Sequence, residues 1–192
     1  MSADCRRQPI GMTLVWPGLW VGSARTVTPE LLKSSKIAVL VWATPEVPPP
    51  SLPETMRMIH VPLKDDRNTD LSPYFPTVTA AFKESQGKGM MVVCLAGVSR
   101  SATLALAALV GSTDLQQMTL RYAYETMKAA RPFIHPNHGF FAQLVKYEKA
   151  VRGTSTVKLI EYPPHSSDMI PDVYLQEMNQ SVAPPFHAFV PL

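Results

Sequence analysis

Apolar residues along this chain fall in short blocks of two kinds, strand-like and helix-like, and the kinds alternate. "TLVWPGLWVGS" (13–23) is β-branched and aromatic around a Pro-Gly turn, which predicts two short strands. "IAVLVWA" (37–43) and "MMVVC" (90–94) are continuous apolar runs, as in strands covered on both faces, and "MRMIHVPL" (56–63) reads as another strand. Helices are predicted at 100–110, 114–130 and 137–152. Shorter ones start at Thr28-Pro29-Glu30, reaching about Ser35, and at Ser72-Pro73, reaching about Ser85. The proline-rich "TPEVPPPSLPE" (44–54) and the polar "KDDRNTD" (64–70) are loops. This alternation predicts one α/β domain over 13–152, a central, mostly parallel, twisted sheet flanked by helices. An N-terminal extension (1–12) precedes it. The tail (153–192), with two Pro-Pro pairs and little periodicity, is expected to pack on the domain or extend from it, partly mobile.

Composition narrows the class. With 192 residues, 46% hydrophobic and 17% charged, the chain is globular and of single-domain size. A net charge of +3 suits an anionic ligand at one site and is too weak for a nucleic-acid surface. The two cysteines, Cys5 and Cys94, build no disulfide framework, which points to a reducing interior. No secretory leader is evident, and the most apolar stretch, Ala102 to Val110, is half the length of a bilayer span. The expectation is a soluble intracellular protein without an integral membrane segment.

Chemistry concentrates in "CLAGVSRS" (94–101), between the last predicted strand and an apolar helix. Ligands of α/β sheets bind beyond the carboxyl ends of strands, where a helix start presents free N–H groups. Gly97 lets successive N–H groups converge on an anion, and Arg100 adds a fork of donors for two phosphate oxygens. Cys94 stands at the edge of this cradle. A free thiol, with a pKa of about 8.5, is only about 3% thiolate at pH 7, and each unit of depression is worth about 1.4 kcal/mol. A positive cradle supplies such depression, so a sulfur here can attack a phosphorus held in the same loop. An isolated cysteine is more often an inert buried residue; the strand, glycine, arginine and helix around Cys94 favour catalysis.

Phosphoryl transfer from an ester also needs a proton for the departing oxygen. Asp65, Asp66 and Asp70 lie on the loop after a neighbouring strand, where the plain alternative is a solvated turn. Asp66, Asn68 and Asp70 have the opening spacing of a calcium loop, but Leu71 and Thr77 stand where glycine and glutamate are required, so calcium is rejected. Of the five histidines only His135 and His138 are close, and no ligand set for zinc completes them. No metal and no cofactor are implied.

"VCLAGVSRSAT" resembles the signature loop of the dual-specificity protein phosphatases, within the cysteine-dependent tyrosine phosphatases. "GLWVGSA", "VPLKDDRNTDLSPYF" and "ARPFIHPNHGFFAQLVKYE" extend the resemblance, and "TVKLIEYPP…MIPDVYLQEM" is similar to the small atypical members that lack a kinase-docking domain. The likeness covers residues 13 to 180. It implies the tyrosine-phosphatase fold and hydrolysis of phosphotyrosine and phosphoserine/phosphothreonine on proteins through a phosphocysteine. Cys94 would be the nucleophile, Arg100 the phosphate-binding side chain, Asp65 the general acid, and Ser101 the hydroxyl that helps the sulfur leave. Backbone nitrogens of Leu95, Ala96, Gly97, Val98, Ser99 and Arg100 would complete the cradle. The implied partner is a phosphorylated protein, a kinase of the mitogen-activated class being one candidate, in the cytoplasm or nucleus or in association with mitochondria. Two positions depart from the family pattern: Val93 replaces its usual histidine and Trp42 its usual asparagine. Both touch the support of the site, whereas every bond-making group is present. The alternatives are a weak or inactive phosphoprotein-binding module of the same fold, and a sulfurtransferase, which would not need Asp65.

Overall fold

The computed structural model describes residues 11–34, 36–85, 87–164 and 167–175. Strands β1 (Thr13–Trp16) and β2 (Leu19–Ser23) form an antiparallel hairpin through Pro17-Gly18, where Gly18 takes a φ of +76°. β2 runs parallel to β5 (Met90–Cys94), β5 to β3 (Val39–Trp42), and β3 to β4 (Arg57–His60), so the sheet order is β1-β2-β5-β3-β4. The sheet is mostly parallel, as the alternation of elements predicts.

Every residue of β3 and β5 is buried. Side chains alternate between faces with a period of two. Met90, Val92 and Cys94 join the main core with Leu19, Val21, Val39 and Val41, whereas Met91, Val93, Leu40 and Trp42 enter a smaller cluster that includes Leu32 and Met56. The strand that carries Cys94 therefore ends in the middle of the sheet, with its sulfur on the core side.

Helix α1 (Pro29–Ser34) is capped by Thr28, whose Oγ1 accepts from Leu31 N at 3.2 Å. The others are α2 (Phe75–Glu84), α3 (Arg100–Gly111), α4 (Leu120–Ala130) and α5 (His138–Arg152). All twelve residues of α3 are buried, and it packs on α2, α5 and β5. A helix apolar on every side belongs at the centre of the domain. Truncating Leu104, Leu106 or Leu109 to alanine there costs about 2–5 kcal/mol.

Two expectations need adjustment. Ser72-Pro73 opens a 3-10 turn (Ser72–Tyr74), and α2 starts only at Phe75. α4 starts at Leu120 instead of 114, because Thr119 Oγ1 caps Tyr122 N at 3.2 Å and the buried Glu148 of α5 accepts from Leu120 N at 2.7 Å. The tail is packed where it is described. β6 (Leu159–Glu161) pairs antiparallel with β7 (Met169–Pro171), and Tyr174 follows them into the core. The Tyr174 hydroxyl donates to Pro136 O at 2.6 Å, its ring stacks on His135 at 4.0 Å between centroids, and Arg121 pairs with Asp172 at 2.7 Å. Single anchors hold this segment, and anchors leave no periodicity in the sequence. Cys5 and residues 176–192 lie outside the described residues. No helix among the described residues is long and apolar enough to cross a membrane.

Candidate active site

The loop between β5 and α3 wraps around the sulfur of Cys94. Gly97 N donates to Cys94 Sγ at 3.3 Å, and Ser101 Oγ lies 3.2 Å from the same atom. Gly97 holds a φ of +73°, and a Cβ there would fall 2.5 Å from an Arg131 nitrogen and 2.6 Å from the Gly22 carbonyl carbon. Only glycine fits this turn. The loop carbonyls are taken up from outside: Leu95 O by Ser23 Oγ at 2.6 Å, Gly97 O by Arg131 Nε at 2.9 Å and Val98 O by His135 N at 2.9 Å. Drawing the carbonyls outward leaves the N–H groups to converge, as an anion cradle requires.

Arg100, the first residue of α3, is only 3% exposed. Its NH1 donates to both oxygens of Glu46, at 3.1 and 2.8 Å, and to Leu63 O at 2.9 Å. Its Nε makes no hydrogen bond and lies 3.6 Å from Asp65 Oδ2. One edge of the guanidinium is thus anchored while Nε remains a free donor. Burial raises the pKa of Glu46, but hydrogen bonds from Arg100 and Thr44 outweigh it and hold the carboxyl below its usual range. Trp42 Nε1 donates to Val47 O at 2.9 Å and steadies the loop that carries Glu46.

The three aspartates of the loop after β4 have different partners. Asp65 Oδ1 accepts from Ser99 Oγ and Asn137 Nδ2, both at 2.9 Å, which brings it to the rim of the cradle. Asp66 turns the loop by accepting from Asn68 N at 2.8 Å. Asp70 accepts from Ser72 N at 3.0 Å and Ser72 Oγ at 2.7 Å. A shallow cavity of about 380 Å³ opens beside Asp65, lined by Arg67, Ser99, His135, Asn137 and His138.

Cys94, Arg100, Asp65 and Ser101 therefore converge on one loop, from β5, α3 and the loop after β4. Sequence reasoning missed Glu46, Asn137 and Arg131. A lone glutamate among prolines carries no signal. Asn137 was hidden by a second task, since its Oδ1 caps α5 by accepting from Phe140 N at 2.9 Å. Val93 and Trp42 are register partners in β5 and β3 and share the smaller apolar cluster. The two departures from the family pattern thus meet each other.

Residues 19–150 match the family model described as the dual specificity phosphatase, catalytic domain. The chain belongs to the dual specificity phosphatases: it is a protein phosphatase, and its substrates are phosphoproteins. Human dual specificity protein phosphatase 14 is 36% identical over 170 residues, covering 87% of this chain and 82% of its own. Human dual specificity protein phosphatase 18 is 33% identical over 179 residues, covering 90% and 91%. Among solved structures, a mouse dual specificity phosphatase complexed with zinc tungstate aligns with a TM-score of 0.68 at 31% identity, over 80% of this chain and 94% of that one. Membership of this family disfavours the inactive binding module and sets the sulfurtransferase aside.

Proposed function

We propose that the protein hydrolyses phosphotyrosine and phosphoserine/phosphothreonine esters by two transfers at Cys94. In the first, the thiolate attacks phosphorus, the P–O bond to the substrate breaks, and Asp65 gives its proton to the departing oxygen. In the second, water attacks the phosphocysteine, Asp65 takes the water's proton, and phosphate leaves as the S–P bond breaks. Ser101 Oγ, 3.2 Å from the sulfur, hydrogen-bonds the returning thiolate. Arg100 and the N–H groups of residues 95–100 hold the phosphoryl oxygens through both steps.

The observation that carries this reading is the tether of Asp65. A carboxylate from a distant loop is fixed by Ser99 and Asn137 at 2.9 Å, within 3.6 Å of Arg100 Nε, at the rim of the loop that surrounds Cys94. The tungstate complex of the mouse relative supports an oxyanion site in this fold. The target to try first is a phosphorylated kinase of the mitogen-activated class, inside the cell, on the family likeness.

Hydrolysis of a small aryl phosphate by the unmutated protein and by Cys94→Ser tests the reading. Turnover is expected to vanish in the variant while phosphoproteins from cell extract stay bound. Turnover retained by Cys94→Ser removes the phosphocysteine route.

A further inference from the structure

Arg131, which closes the C-terminus of α4, carries a charge into the interior: it is 1% exposed. Its Nε donates to Gly97 O, and its NH1 donates to Gly11 O and Thr13 Oγ1, all at 2.9 Å. The guanidinium carbon lies 4.2 Å from the centre of the Phe133 ring. All of these partners are neutral. NH2 makes no hydrogen bond, and it lies 2.5 Å from where a Cβ on Gly97 would stand, against the loop between β5 and α3.

Among the described residues, no carboxylate pairs with Arg131. A buried cation is costly unless an opposite charge faces it. The charged side chains that hold or border the loop around Cys94 are Arg100 from α3, Arg131 from the end of α4, Asp65 from the loop after β4 and Glu46 from the loop after β3. Glu46 and Asp65 both lie on Arg100, at 2.8 and 3.6 Å, and offset its charge. Arg131 is left as the cation whose field is not cancelled. The sulfur of Cys94 accepts the N–H of Gly97, the residue whose carbonyl Arg131 holds. Burial lowers the Arg131 pKa, and the charge of Cys94 opposes that shift.

We propose that Arg131 is the counter-cation of the Cys94 thiolate, a positioning residue that acts through the Gly97 peptide and keeps the sulfur ionised while Arg100 serves the phosphate. The proposal rests on the reading of Cys94 as the nucleophile.

The test is the pH dependence of Cys94 alkylation by neutral iodoacetamide, read by mass spectrometry of the Cys94 peptide in the unmutated protein, Arg131→Gln and Arg131→Lys. Gln keeps an amide donor for Gly97 O and loses the charge, whereas Lys keeps the charge and loses the fork. The inflection is expected to move to higher pH by about one unit or more in Arg131→Gln, and by less than about half a unit in Arg131→Lys. An unmoved inflection in Gln, or an equal shift in both variants, overturns the proposal and leaves Cys94 as nucleophile intact. An unmutated protein that alkylates like a free thiol overturns both. Should Arg131→Gln fail to fold, Arg131→Met removes the charge in its place: a rise of a unit or more in Met with less than about half a unit in Lys upholds the pairing, and an unmoved inflection in Met or an equal shift in both rejects it.

Discussion

Asn137 Nδ2 donates to Asp65 Oδ1 at 2.9 Å, joining the cap of α5 to the loop after β4 across 72 positions of sequence. Ser99 Oγ donates to the same oxygen at 2.9 Å and accepts from Asn137 N at 3.1 Å. A carboxylate fixed in this way can serve as a proton donor only along a narrow set of directions. Replacing Asn137 by alanine leaves the sulfur and the cradle in place and frees the acid. The expected result is a fall of about tenfold to a hundredfold in kcat/KM for alkyl phosphates, and a much smaller fall for aryl phosphates with good leaving groups. The slope of rate against leaving-group pKa measures it. Equal losses on both substrate types would mean that Asn137 supports the fold and not the acid.

Asp65 and Asp66 are adjacent, and their partners differ. Asp66 Oδ1 accepts from Asn68 N, a bond an asparagine oxygen can also accept, so Asp66→Asn is expected to leave the pH profile of kcat/KM unchanged. Asp65→Asn removes the proposed proton donor. A fall of about 10²–10⁴-fold is expected, together with loss of the alkaline limb of the profile. If Asp66→Asn gives that outcome instead, the acid lies one residue further on.

The parts of this fold legible in the sequence are those with a repeating cause. Continuous apolar runs located β3 and β5, and a Thr-Pro pair marked the start of α1. The loop chemistry was legible too, because Cys94, Gly97 and Arg100 sit within seven residues. What escaped depends on contacts between distant segments: Glu148 delaying the start of α4, Tyr174 pinning the tail under Pro136, Glu46 reaching Arg100 from a proline-rich loop. Each is a single side chain with a partner far along the chain, and local pattern carries no trace of such pairs.

Glu148 gives a stability prediction of that kind. Its buried carboxylate accepts from Leu120 N at 2.7 Å and Thr156 N at 2.7 Å, and from Ser155 Oγ and Thr156 Oγ1 at 2.9 Å. Glu148→Gln turns an amide NH₂ toward these donors and strands at least one of them, at a cost of about 1–3 kcal/mol. Urea unfolding should show this loss, while kcat/KM per folded molecule stays at the unmutated value. A variant as stable as the parent would show that water replaces the lost acceptor at no cost.

Glu46 binds stability and activity together. Two of the contacts that fix Arg100 NH1 come from its carboxylate, so Glu46→Gln leaves Leu63 O as the main anchor and lets the guanidinium swing. The Arg100 fork then meets phosphate less well oriented, and KM for an aryl phosphate is expected to rise about tenfold, with a smaller fall in kcat. The pH dependence of stability has a definite sign. Glu46 titrates below its ordinary value of 4.5 in the folded chain, despite partial desolvation, because Arg100 and Thr44 bond its charged form. Such a group contributes its full stabilisation above the ordinary value and loses it as pH falls through the folded one. The Tm gap between the parent and Glu46→Gln should therefore be constant from pH 7 down to about 5 and should close in more acid solution. A gap that persists unchanged there would show that the glutamine disturbs packing, and that the ion pair with Arg100 contributes nothing to the fold.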